Sequence, residues 1–215
     1  MSGFIYIPCE QQSPEWHEHR AGVITASMFG VILATTKKGY SAAAEKYATN
    51  KAIERISGKP LSDEMGEGYK TWQMRRGNEK EPLARIEYTH RTGSQVDAAG
   101  LCLSMDRRFG ASCDGFVGDK GTVEIKCLVA SDKLVRTWVD NDITEFIPQV
   151  QGELWLSGRE WCDFCLYAPQ LANVGKTLYI QRVERDDNYI EEMELELLAF
   201  NAYVDEHVQA LRSAT

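Results

Sequence analysis

Apolar positions recur with two different periods along this chain, and the period changes near residue 100. Before that point they fall mainly at helical spacing, so residues 1–95 read as a mainly helical part. Ser13-Pro14-Glu15 supplies a helix start, with serine as N-cap and proline at the first helical position. Ala42 to Ile56 is alanine-rich with helical periodicity, and Gly58 follows as a stop. A longer helix is predicted over Tyr69–Thr92, with Pro82 either tolerated or kinking it. From Gly100 the pattern alternates or runs apolar over Leu101–Met105, Ser112–Val117 and Thr122–Cys127, between glycines at 110, 115, 118 and 121. These stretches read as consecutive antiparallel strands. Two helices (Ser131–Val139, Thr144–Leu156) and two strands (Cys162–Tyr167, Thr177–Val183) follow. A closing amphipathic helix from Asp187 to Leu211 presents Tyr189, Met193, Leu197, Phe200, Val204 and Val208 on one face. The expected fold class is α/β, a mixed sheet flanked by helices, with residues 96–215 holding the sheet core and the closing helix.

Composition bounds this picture without redrawing it. A chain of 215 residues that is 43% hydrophobic buries one sizeable core, so a single domain over 1–215 is expected. No apolar run is long enough to span a bilayer, and the first residues lack the basic and apolar regions of a signal peptide. The six cysteines show no disulfide-framework spacing and read as free thiols; Cys162 and Cys165 have no second pair at zinc-site distance. The net charge of −8 argues against a simple nucleic-acid-binding surface. Its distribution weakens that argument. Residues 184–206 carry nine acidic groups and one basic, so the rest of the chain is neutral overall, with basic pairs at Lys37–Lys38, Arg75–Arg76 and Arg107–Arg108.

The candidate chemistry is Asp114-Gly115, followed ten residues later by Glu124-Ile125-Lys126. On a strand Glu124 and Lys126 share one face while Val123 and Ile125 take the other, and a neighbouring strand can bring Asp114 beside Glu124. Two hard anionic ligands suit Mg2+ with several retained waters. A lysine beside the ion can position or deprotonate a water, and burial next to a metal is expected to lower its pKa. Glu-x-Lys alone is commonplace; the preceding Asp-Gly makes it informative.

The block Trp16-His17-Glu18-His19-Arg20-Ala21-Gly22-Val23-Ile24-Thr25-Ala26-Ser27 resembles the N-terminal motif of the bacteriophage lambda exonuclease family of viral recombinases. Gly77-x-x-x-Glu81, Asp114-Gly115, Glu124-Ile125-Lys126-Cys127, Gln149-Val150-Gln151 and Val183-Glu184-Arg185-Asp186-x-x-Tyr189 match in order and separation. The resemblance implies a PD-(D/E)XK core of the restriction-endonuclease type and release of mononucleotides from 5′ ends of duplex DNA, leaving 3′ single-stranded tails for annealing recombination. It implies a metal-binding set of Asp114, Glu124, Glu81 and Ile125 for one or two Mg2+ ions, replaceable by Mn2+. Lys126 would orient or activate water, and Gln149 would orient groups from the following helix. Arg20 and Ser27 would bind the terminal 5′-phosphate, consistent with the fit of a guanidinium fork to phosphate and with free N–H groups at a helix start. Met74 would part the terminal base pairs, with Arg75 and Arg76 on the DNA backbone. The implied setting is a homotrimeric ring around DNA, a single-strand annealing protein as partner, and the cytoplasm of a bacterium carrying the phage or prophage. Cys113 departs from the family by replacing the proline before the aspartate, and Lys133 stands one residue from the position of a basic loop residue. A structure-specific endonuclease and a non-catalytic DNA-end-binding subunit are the alternatives.

Overall fold

The computed structural model describes residues 3–37, 39–61, 72–127 and 130–214, and of residues 72–79 the backbone alone. The side chains of Met74, Arg75 and Arg76, and the whole of Lys38, therefore lie outside the described residues. Two four-stranded sheets form the framework. In the first, β1 (Phe4–Ile7), β3 (Leu101–Ser104) and β4 (Phe109–Ala111) pair antiparallel, and β2 (Ile24–Thr25) joins β4 in parallel. In the second, β5 (Gly115–Val117) and β6 (Gly121–Lys126) form a hairpin, β7 (Trp161–Tyr167) lies parallel to β6, and β8 (Leu178–Glu184) closes the order antiparallel to β7.

The parallel pairing of β6 and β7 demands a crossover. It is made by α5 (Ser131–Asp140) and α6 (Ile147–Ser157). Nearly every residue of β6 and β7 is buried, as expected for central strands covered on both faces. Helix α6 packs on β3 and β4 as well as on β7, which joins the two sheets. The remaining α-helices among the described residues are α1 (Pro14–Arg20), α2 (Phe29–Leu33), α3 (Ala42–Ser57), α4 (Trp72–Thr92) and α7 (Asp187–Ser213). Ala44, Ala48 and Ala52 of α3 are fully buried against Met193, Leu197, Phe200 and Val204 of α7. Small residues one turn apart let the long helix come close.

Local rules account for most of the helix boundaries. Ser13 caps α1 by accepting from Trp16 N, Ser41 caps α3 in the same way, and Gly58 ends α3 in the left-handed conformation. Pro82 lies inside α4, and Pro148 sits in the first turn of α6, where its missing N–H costs nothing.

The expected mixed sheet flanked by helices is present, as two mixed sheets, and the mainly helical first 95 residues contribute the short strands β1 and β2 to one of them. Four and two residues are too few for a period of two to show. The stretch Ser112–Val117, expected as one strand, is not one: β4 ends at Ala111, β5 begins at Gly115, and the residues between carry the chain from one sheet to the other. All six cysteines are free and buried, as their spacing suggests.

One buried polar cluster fastens α4 to the second sheet. Asp163 on β7 accepts from Tyr88 Oη at 2.6 Å and from Arg182 Nε and Nη2, both at 2.9 Å. Tyr88 is fully buried, so loss of its acceptor leaves an unsatisfied hydroxyl. Asp163→Leu is expected to lower unfolding free energy by about 1–3 kcal/mol from the orphaned hydroxyl alone. Urea unfolding of both proteins measures it, and an unchanged midpoint counts against the fastening role.

Candidate active site

Asp114 stands on the passage between the two sheets, immediately before β5. Its Oδ2 accepts from the backbone N–H of Ile125 on β6 at 2.6 Å, which draws it beside Glu124. Gly115 is required next to it, because a Cβ there would lie 2.2 Å from Val96 Cγ1. The expected alternation on β6 is present: Val123 and Ile125 pack with Ala84 and Tyr88 on one face, while Glu124 and Lys126 meet on the other. Any contribution of Ile125 to a metal site therefore has to come from its backbone.

Glu124 is 3% exposed, and its Oε1 takes Lys126 Nζ at 2.8 Å and Gln149 Nε2 at 2.6 Å. Lys126 Nζ also donates to Gln149 Oε1 at 2.8 Å. These three side chains form a closed triangle. Gln149, on α6, makes a further bond to Glu153 Oε1 at 2.8 Å. Burial, and then the charges of Glu124 and Glu81, push the Asp114 carboxyl well above the ordinary carboxylate range. Burial works to lower the Lys126 ammonium, but Glu124 and Asp114 together hold it above the usual lysine value.

Glu81 lies on α4 and is paired with Arg85, one turn on, whose Nη2 reaches Glu81 Oε1 at 2.7 Å. Among the described residues no three acidic, histidine or cysteine side chains gather tightly enough to form a metal cage. The charges of Glu124 and Glu81 both act on Asp114, and Glu81 is at the same time engaged with Arg85. Glu81 and Arg85 also line a cleft of about 600 Å³, with Tyr6, Gln11 and Gly100 opposite.

Arg20 ends α1. Its guanidinium lies 4.0 Å from the Trp16 ring centroid, and Nη1 donates to Ser112 Oγ at 3.4 Å. Trp16 Nε1 donates to the same oxygen at 2.8 Å. Burial lowers the Arg20 pKa to about 10, still charged at neutral pH. Ser27 is exposed, in the short turn Ala26–Met28 before α2, with its Oγ 3.2 Å from Thr25 Oγ1. The turn after Arg20 is gripped from α3: Glu54 Oε2 accepts from Gly22 N at 2.9 Å, and Arg55 Nε donates to Gly22 O at 3.0 Å. Gly22 has φ 72°, a left-handed conformation that favours glycine. Lys133, in the first turn of α5, pairs with Glu145.

Sequence reasoning missed four residues here. Gln11 donates to the carbonyls of Ala99 and Cys113, at 3.0 and 2.6 Å, and so steadies the turn where Cys113 replaces a proline. Ser112 joins the Arg20 pocket to the carboxylate centre, two residues before Asp114. Arg85 engages Glu81, and Glu153 supports Gln149. Arg85 and Glu153 left a readable sign, the i,i+4 spacing of each from its partner Glu81 or Gln149 on a helix.

A family model for the YqaJ-like viral recombinase domain matches residues 15–160, a span that holds Arg20, Ser27, Glu81, the Asp114–Glu124–Lys126 centre and Gln149. The chain belongs to this viral recombinase family. Its fold is similar to that of an alkaline exonuclease from Laribacter hongkongensis, at 33% identity and a TM-score of 0.78, covering 93% of this chain and 96% of that one. The same enzyme in complex with dAMP matches at 32% identity and a TM-score of 0.80, with the same coverage. A phage-related exonuclease from Haemophilus somnus 129PT shares the fold at 16% identity and a TM-score of 0.62, covering 88% of this chain and 96% of that one. No match is found among curated proteins.

The buried carboxylates have a consequence for this recombinase-family chain that can be measured. Asp114 titrates above its unfolded value of about 3.9, so the folded chain keeps a proton that the unfolded chain has released. The stability this contributes is full below the unfolded value and is lost as pH rises through the folded one. Asp114→Asn is therefore expected to raise the thermal midpoint in chelator at neutral pH, with the gain vanishing towards about pH 4. Thermal unfolding across that range checks it; a variant less stable at neutral pH contradicts the account.

Proposed function

We propose that the chain is a Mg2+-dependent 5′-to-3′ exonuclease acting on duplex DNA, releasing mononucleotides and leaving 3′ single-stranded tails for annealing recombination. One observation carries the reading: Trp16 and Arg20 both bond Ser112, and Asp114 follows two residues later, so a cationic side chain is tied to the segment that carries the carboxylate centre. Family membership and the likeness to an alkaline exonuclease support it.

The donor set suits the ion. Asp114 and Glu124 are hard oxygen donors, Glu124 buried and Asp114 half-buried, and the charge of Glu124 acts on Asp114. A bound Mg2+ supplies Lewis-acid activation of a phosphate oxygen and of water. Glu81, released from Arg85, and the Ile125 backbone complete the proposed set, which extends to a second ion and to Mn2+ in place of Mg2+. Lys126 enters as an ammonium and orients the attacking water or a phosphate oxygen; a cation shared by its carboxylates would weaken their hold on its proton. Gln149 keeps Lys126 and Glu124 in register. Arg20 holds the terminal 5′-phosphate, with Ser112 and Ser27 as hydroxyl partners, which fixes the cut at the end of the strand. Met74, Arg75 and Arg76 keep their proposed roles at the terminal base pair and backbone. A homotrimeric ring, with an annealing protein on the emerging tail, reconciles grip on DNA with a chain of net charge −8, because enclosure then holds the substrate as well as charge does.

Linear duplex with 5′-phosphate or 5′-hydroxyl ends, each with and without chelator, tests metal dependence and end recognition together. Digestion is expected with phosphate ends and free Mg2+, and none in chelator. Lys126→Ala should abolish nucleotide release while end binding persists. Arg20→Ala should slow phosphate-ended substrate roughly 10- to 100-fold, the worth of a charge-assisted hydrogen bond, and leave hydroxyl-ended substrate unaffected. Cutting of a covalently closed circle would instead favour an endonuclease. For the ring, added salt should depress loading far more than stepping; equal sensitivity of both counts against enclosure.

A further inference from the structure

Glu153 lies one turn beyond Gln149 on α6, is 1% exposed, and has no part in the proposed hydrolysis as described so far. Its Oε1 accepts from Gln149 Nε2, while its Oε2 is buried with no hydrogen-bond partner among the described residues. Burying a carboxyl group in this way is costly, which makes its place beside the centre informative.

The bonding of Gln149 shows what that place provides. An amide has two donor directions on nitrogen and an acceptor oxygen. Nε2 spends one bond on Glu124 Oε1 and the other on Glu153 Oε1, and Oε1 receives Lys126 Nζ. Both ends of the amide are thereby assigned. A flipped amide would set its oxygen against two carboxyl oxygens and its N–H groups against an ammonium. Without Glu153 the second N–H has no acceptor, and the side chain loses the anchor on its own helix. Burial, followed by the charge of Glu124, pushes the Glu153 carboxyl well above the ordinary range.

We propose that Glu153 is a positioning residue for the hydrolytic centre, fixing the Gln149 amide in the orientation that keeps Lys126 and Glu124 together. The inference rests on the nuclease reading.

The test compares Glu153→Leu, which removes the acceptor at similar bulk, with Glu153→Gln, which keeps an oxygen in place. Each is made alone and in a Gln149→Ala background, with Glu153→Met as a second apolar variant should the leucine variant not fold. Three quantities are measured: kcat on 5′-phosphorylated duplex, the Mg2+ concentration for half-maximal rate, and the end-binding Kd in chelator. Glu153→Leu is expected to lose about 10- to 100-fold in kcat or in Mg2+ affinity, with end binding unchanged. Glu153→Gln should recover most of that loss, and Glu153→Leu should cost little more once Gln149 is gone. A fully active Glu153→Leu overturns the inference and leaves the nuclease reading standing. So does a Glu153→Gln as impaired as the leucine variant, or losses that multiply in the double variant. A wild-type chain with no chelator-sensitive digestion removes the nuclease reading itself, and the inference with it.

Discussion

Carboxyl groups crowded around one another are the constraint on which the rest of this structure turns. Asp114, Glu124 and Glu153 gather around the Lys126 ammonium, with Glu124 and Glu153 buried and Asp114 and Lys126 half-buried. In low dielectric that arrangement is unfavourable, and it persists because the framework around it is fixed independently. Two glycine-flanked strands hold Asp114 against β6, a crossover helix brings Gln149 and Glu153, and Asp163 fastens α4 behind them. The Ile125 N–H bond to Asp114 partly offsets the repulsion. The centre is thus a place where stability is given up locally and recovered by packing elsewhere.

The passage between the sheets gives this arrangement its address. Had β4 run on into β5 as one strand, Ser112 and Asp114 would share a face and belong to one surface. Because the chain changes sheets there, Ser112 turns towards Trp16 and Arg20 while Asp114 turns towards Glu124. Gln11 steadies the corner through Cys113 O, so a cysteine stands there without loss of the turn. The pocket is held from its other side by Glu54 and Arg55 on Gly22, and Arg55 reaches on to Asn201 and Asp205 of α7. The acidic closing helix therefore contributes to the frame of a cationic pocket, and its charge is not merely a solvated surface.

What the sequence disclosed, and what it hid, follows from the range of each signal. The helix start at Ser13, the stop at Gly58 and the apolar face of α7 depend on neighbours within a turn or two. All three are observed as expected, the face from Met193 to Val208, with Ile190 rather than Tyr189 as its first buried residue. The opposed faces of Glu124 and Ile125 follow from strand geometry alone. By contrast β1 and β2 are too short for periodicity, and their pairing partners lie far along the chain. Gln11 and Ser112 act through contacts that no local pattern announces. The number of carboxylates gathered around Lys126, Glu153 among them, is likewise a property of the fold rather than of any local pattern.

The bond between Arg20 and Ser112 spans 92 residues of sequence, whereas Asp114 and Ile125 are 11 apart. Folding order follows from that difference. A hairpin forms on the timescale of microseconds, but a contact across most of a domain waits for the loop between its ends to be closed. The contact of Asp114 with β6 therefore forms early, and the contact of Arg20 with Ser112 waits for the domain to close. The corner between the two sheets is thus finished from its two sides at different times, first by its own hairpin and then by the N-terminal helix.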